Sequence, residues 1–193
     1  MALVLASSSP IRRAILEQAG VEFASIAAGI DEEAEQARHA DPGSLAAALA
    51  GAKAVAVSRS HAGDLVIGSD SVVSVDGRIF AKPGDREEAA AHLRQFSGRE
   101  MLLTSAVALA RDGAVEWSVT DSARLTVRTL SEHFIQSYLD AEWPEVGYCV
   151  GVFRLEGRGV QLFDAVEGSY FTILGMPLLP LLKALREREA IPQ

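Results

Sequence analysis

Apolar residues recur along this chain in two rhythms, and the switch between them outlines alternating strands and helices. Residues 3–6 are an unbroken apolar run of the kind a buried strand shows. Ser9, Pro10 and Gly20 then mark a helix with a capping residue, a proline at its first position and a glycine at its exit. Residues 21–28 read as a second strand. The acidic run Asp31, Glu32, Glu33, Glu35 separates it from 44–59, an alanine-rich helical stretch carrying Lys53. Residues 65–68 form a short apolar strand ending in Ser69-Asp70. Beyond it, 72–75 and 78–80 flank Asp76-Gly77, a two-residue hairpin signal.

Lys82-Pro83 closes that hairpin. Asp85, with Glu88 three positions on, starts a helix that runs to about Phe96 and stops at Ser97-Gly98. Residues 101–110 and 114–128 predict two long strands joined at Asp112-Gly113. Ser131 caps a helix to about Ala141, and 147–159 is glycine-rich and turn-like. A strand over 160–166 and a closing helix over 176–188 complete the pattern. Interleaved strands and helices with hairpins among them predict an α/β fold, a mixed twisted sheet with helices packed on it. No repeat divides the chain, and its 193 residues suit one domain over 1–193, of one lobe or two.

Composition narrows the class. A hydrophobic content of 49% fits a compact core, while the longest apolar stretches fall well short of the ~20 residues that cross a bilayer. Met1-Ala2-Leu3 leads straight into strand-like sequence with no basic n-region, so no secretory signal and no membrane partner are expected. A single cysteine, Cys149, precludes an internal disulfide and fits a reducing cytoplasm. The net charge of −8 argues against nucleic acid as the main partner, which would need a basic face. A small phosphorylated ligand needs only a local cluster of cations, and remains open.

Common signatures are missing. His39, His61, His92 and His133 are scattered, and neither HExxH nor CxxC occurs. There is no GxxxxGK[ST] loop, no GxGxxG and no GxSxG. What remains is oxygen ligands and cations. Arg12 and Arg13 fall in the first turn of a helix, where the macrodipole disfavours them by a few tenths to about 1 kcal/mol unless an anion docks. Free backbone N–H groups and guanidinium forks there describe a phosphate site, against the plainer reading of two solvated arginines.

Asp70, at the C-terminal end of a short strand, stands where α/β sheets place ligand groups, and can hold a metal, take a proton or cap the next turn. Glu32 is a metal ligand or a solvated acid. Lys53 is an ordinary helix lysine or a phosphate contact. Pro83 constrains the direction of Lys82. As a set, Arg13, Lys53 and Lys82 could clamp a polyphosphate while Glu32 and Asp70 hold a divalent cation and an attacking water.

The segments LASSSPIRRAILEQAG, GIDEE, GAKAVA, VIGSDSVV, DGRIFAKPGD, LRQFSG and LEGRGVQLFDAVEGSYFTILGMPLLPL occur in this order from residue 5 to residue 181. Through them the chain resembles the Maf family of nucleoside triphosphate pyrophosphatases over nearly its whole length. The resemblance implies a cytoplasmic enzyme that splits a nucleoside triphosphate into monophosphate and pyrophosphate with Mg²⁺ or Mn²⁺. It implies an α/β fold of the Maf/ITPase-like kind, with a cleft between two lobes, and often a homodimer. Onto this chain it carries Asp70 as catalytic base or metal-site acid. Ser7, Arg13, Glu32, Lys53 and Lys82 become phosphate- or metal-site residues.

Within the family, SPIRR, GSDS and Glu156 in FRLEG look more like the branch acting on 7-methyl-GTP than the pyrimidine-selective members. The latter carry SPRR, GADT and a glutamine in the late glycine-rich loop. A carboxylate accepts the N1–H and N2–H₂ donors of guanine and favours a methylated, positively charged base. By the same likeness Ile11, Ser71 and Glu156 fall at positions of base choice, although that branch usually has a larger side chain at 11 and glutamine at 71. A dTTP/UTP pyrophosphatase and a non-catalytic nucleotide-binding regulator of cell division are the alternatives.

Overall fold

The first apolar run becomes strand β1 (Leu3–Leu5), buried throughout and parallel to both β2 (Ala24–Ser25) and the start of β3 (Leu65–Val75) in a computed structural model that describes residues 2–193. β4 (Arg78–Phe80) folds back antiparallel on the end of β3 through Asp76-Gly77, both at positive φ as a tight hairpin turn requires. β5 (Glu100–Arg111) and β6 (Ala114–Val127) are joined by Asp112-Gly113, again at positive φ, and β7 (Phe163–Glu167) pairs antiparallel with the end of β6. The strands form one mixed sheet in the order β2-β1-β3-β5-β6-β7, with β4 on β3. The helices are α1 (Pro10–Gln18), α2 (Glu32–Gln36), α3 (Pro42–Ser58), α4 (Arg86–Phe96), α5 (Glu132–Glu142), α6 (Tyr170–Ile173) and α7 (Leu178–Glu187). The expected mixed α/β architecture is therefore present.

The chain gathers into two compact units. The first comprises everything up to Ser71 with Thr104–Asp121 and Ser169–Gln193; the second comprises Val72–Leu103 and Ser122–Gly168. In the first, Ile15 and Leu16 of α1 and Leu178, Leu181 and Leu185 of α7 pack with Leu3, Leu5, Leu65, Ile67, Val107 and Leu109 of the strands. In the second, Phe96, Leu93, Met101, Leu125, Ile135 and Leu139 are among the fully buried side chains, and Phe80 meets Phe96 edge-to-face. No helix among the described residues is long and apolar enough to cross a membrane.

Several elements depart from the sequence pattern, among them 160–162, which form a 3₁₀ turn and not strand, and α6, which the pattern does not predict. β2 keeps only two of the eight residues expected. The acidic run is helical, because the Asp31 carboxylate caps Ala34 N–H and three glutamates occupy the positive end of α2. β3 is one strand of eleven residues, not two, so Asp70 lies mid-strand and not at a strand end. The strand continues because its polar side chains are satisfied internally, Ser69 Oγ donating to a carbonyl and Asp70 accepting from Lys53. Ser9 takes the extended backbone of a capping residue but makes no side-chain cap; its N–H donates to Ser7 Oγ.

Candidate active site

The site in the first unit starts from helix α3. Its buried positions are Leu45, Ala46, Leu49, Ala50, Lys53, Ala54, Val57 and Ser58, a stripe of helical period with one cation in it. Small residues let this stripe approach β3 closely. A Cβ on Gly68 would sit 2.1 Å from Ala50 O and 2.6 Å from Ala54 N, so only glycine permits the contact. That approach delivers Lys53 to Asp70, two residues along the strand from Gly68.

Lys53 Nζ donates to Asp70 Oδ1 at 2.5 Å and lies 2.7 Å from Glu32 Oε1. Lys53 and Asp70 are both buried, whereas the Glu32 side chain, on the first turn of α2, is half exposed. Two acids thus converge on one ammonium. Removing one partner of a buried pair of this kind costs about 3–5 kcal/mol, so the geometry is strongly enforced. Among the described residues no group of three or more His, Cys, Asp or Glu side chains is placed to hold a metal alone. Two carboxylate oxygens within reach of one point are nevertheless what Mg²⁺ takes when substrate phosphates and water complete its shell.

On the opposite face of β3 from Asp70, Ser71 anchors an arginine. Arg12 Nη2 donates to Ser71 Oγ and Arg12 Nε to Gly175 O, each at 3.0 Å. Ser105 Oγ gives its hydrogen to Thr172 O at 2.7 Å, so the 2.8 Å contact between Ser71 and Ser105 is donated by Ser71. The chain of donors runs one way, from guanidinium through two hydroxyls to a backbone carbonyl. Gly175 adopts φ +107°, and a Cβ there would press on Arg12 Nε and Ser71 Oγ at 3.3 Å. Thr172 is tied in turn to Asp121 through its hydroxyl.

The other expected residues of this unit fall out as follows. Ser7 is buried directly after β1, its hydroxyl accepting from Ser9 N–H and its carbonyl from Ser25 Oγ. Ile11 is half-buried against the apolar core. Arg13 is exposed, and its side chain makes no hydrogen bond or ion pair among the described residues. The arginine tied to β3 is Arg12, held on Ser71 across the strand from the Asp70 side chain; the expected phosphate clamp left it out. Helical phase carried the signal: Arg12 stands three and four positions before the buried Ile15 and Leu16.

In the second unit, Lys82 is exposed beside the buried Pro83, and Glu156 is exposed in the irregular segment between Cys149 and Gly157. Burial pushes the Cys149 thiol up, Glu156 adds to the rise, and Arg154 and Lys82 oppose it. The segment is held in a costly shape. Val152, buried and β-branched, sits at φ +59°, a strain of roughly 1–3 kcal/mol. Arg154 Nε is buried without a partner. Two side chains of α5 grip the segment. Tyr138 Oη donates to Val152 O at 3.0 Å, and the buried Glu142 accepts from Arg154 Nη2 at 2.8 Å and lies 3.9 Å from Arg158 Nε.

Comparison with known proteins follows this geometry. A family model described as Maf-like protein matches residues 2–188. A protein of Rhizobium meliloti named 7-methyl-GTP pyrophosphatase is 50% identical, covering 98% of this chain and 97% of its own. One of Sphingopyxis alaskensis named nucleoside triphosphate pyrophosphatase is 46% identical over the full length of both. A 7-methyl-GTP pyrophosphatase of Brucella suis is 46% identical, covering 98% of this chain and 97% of its own.

Proposed function

This chain belongs to the Maf-like protein family, and on that footing we propose that it hydrolyses a nucleoside triphosphate to the monophosphate and pyrophosphate, with 7-methyl-GTP or a related modified purine as substrate. The observation that carries the reading is the convergence of Asp70, Glu32 and Lys53, with Arg12 fixed to the residue after Asp70. A triphosphate brings about four negative charges, and its cleavage is catalysed mainly by positioning and charge neutralisation. Lys53 supplies a cation at Asp70, and Arg12 supplies one fixed by Ser71 and Gly175. Asp70 takes a proton from the water that attacks the α-phosphorus, as the bond from that phosphorus to the bridging oxygen breaks and pyrophosphate leaves.

Asp70 and Glu32 are the residues that would hold Mg²⁺ or Mn²⁺, which would offset the charge growing on the leaving group. Lys53, now between the two acids, would then turn toward the phosphates. Lys82 is assigned to phosphate and Glu156 to the base, where its carboxylate accepts the guanine N1–H and N2–H₂ and favours the positive charge of a methylated ring. The names borne by the relatives from Rhizobium meliloti and Brucella suis support the purine. A cytoplasmic setting is supported by the lone thiol of Cys149.

The test is a panel of triphosphates, 7-methyl-GTP, GTP, dTTP and UTP among them, incubated with the protein and Mg²⁺. Pyrophosphate and a monophosphate are expected in equal amounts, fastest from the methylated purine. Inorganic phosphate as the product would overturn the reaction, and faster turnover of dTTP or UTP would overturn the base.

A further inference from the structure

We infer that Glu142 is a positioning residue for base selection, acting through the loop that carries Glu156. The inference rests on Glu156 reading the base, as assigned above. Arg154 and Arg158 stand two residues before and two after Glu156, and the one buried carboxylate of Glu142 draws on both. Four residues earlier on the same face of α5, Tyr138 Oη holds the carbonyl of Val152. Helix α5 thereby fixes the loop at three points, at 152, 154 and 158.

The loop does not hold this shape by itself. Val152 is strained at positive φ, and Arg154 keeps a buried Nε–H without an acceptor. Both features persist only where the surroundings over-determine the conformation. The surroundings here are Tyr138 and Glu142, with Phe153 seated edge-to-face on Phe163. Glu142 is too buried to meet a nucleotide itself. Its charge acts by holding Arg154 and Arg158 together, which sets the path of the five-residue span whose centre is Glu156.

Glu142→Gln keeps the shape and removes the charge. Kinetics on 7-methyl-GTP and UTP, for this variant, for Glu156→Gln and for the double variant, form a cycle. Glu142→Gln should lose about tenfold in the ratio of kcat/KM for 7-methyl-GTP over UTP, chiefly through KM, because the lost interaction is with the base and not with the reacting phosphorus. The double variant should be no less selective than Glu156→Gln alone, since both act through one group. Glu142→Asp should restore part of the ratio.

Equal losses on both nucleotides, or additive effects in the double variant, would overturn the positioning role. An unchanged ratio in Glu156→Gln would overturn the base assignment beneath it, a separate outcome. Should Glu142→Gln fail to fold, Tyr138→Phe in the same cycle removes the grip on Val152 while keeping the ring, with the same expected and overturning results.

Discussion

Each of the two units buries one ion between two of the opposite sign, and the arrangements are inverted. In the first, a cation, Lys53, lies between Asp70 and Glu32; in the second, an anion, Glu142, lies between Arg154 and Arg158. Their supports differ. Lys53 and Asp70 sit on a long helix and the middle of a long strand, pressed together where Gly68 meets Ala50 and Ala54. Arg154 lies in irregular chain and Arg158 begins a short 3₁₀ turn, and both are held by α5. The first arrangement fixes two groups in a rigid frame, which is what proton transfer and phosphate positioning require. The second sets the shape of a loop, which is what recognition of one base over another requires.

The largest test of this contrast is Asp70→Asn. It should lower turnover by about 10²-fold or more if Asp70 is the base, whereas Glu142→Gln should change the choice of nucleotide and leave turnover nearly intact. Pyrophosphate release under saturating substrate reads both. A near-normal rate in Asp70→Asn would break the comparison at its root.

A smaller effect separates the adjacent arginines. Arg12→Ala should cost at least about tenfold in kcat/KM, because it removes a charge held on Ser71 and Gly175. Arg13→Ala should change kcat/KM by less than about threefold, as expected for an exposed cation. The reverse order would return the phosphate clamp to Arg13.

The smallest effect belongs to the second unit. Burial against Phe80 and Phe96 lowers the pKa of His92 below 6.5; Arg78 adds to the fall and Glu88 opposes it. The unfolded chain therefore takes up this proton more readily than the folded one. Stability should decline as pH falls below about 6.5, toward the lowered folded value. His92→Leu should flatten that decline in thermal melts compared at pH 7.5 and 5.5. An identical decline in the variant would place its origin elsewhere.

Much of the first unit was readable in the chain. The alanine stripe of α3 already places Lys53 on a buried face, and Asp76-Gly77 and Asp112-Gly113 mark both hairpins. Strand β3 was misread as two because Ser69-Asp70 looks like a turn; only its partners Ala106 and Lys53, far along the chain, make those polar side chains tolerable in a sheet. Arg12 and Arg13 differ by 100° of helical phase, a signal present in Ile15 and Leu16. The Glu142–Arg154 pair had no such local signal. Neither residue type nor spacing tells an irregular loop which helix will hold it.

β3, β5 and β6 each begin in one unit and finish in the other, so the polypeptide passes through the boundary repeatedly. No contiguous fragment consists of one whole half and nothing of the other. Truncation from either end strips the first unit before it reaches the second, so a genetic dissection that seeks the catalytic portion by shortening the reading frame would destroy what it seeks. Only point changes, or two co-expressed pieces that reassemble, can take this protein apart by function.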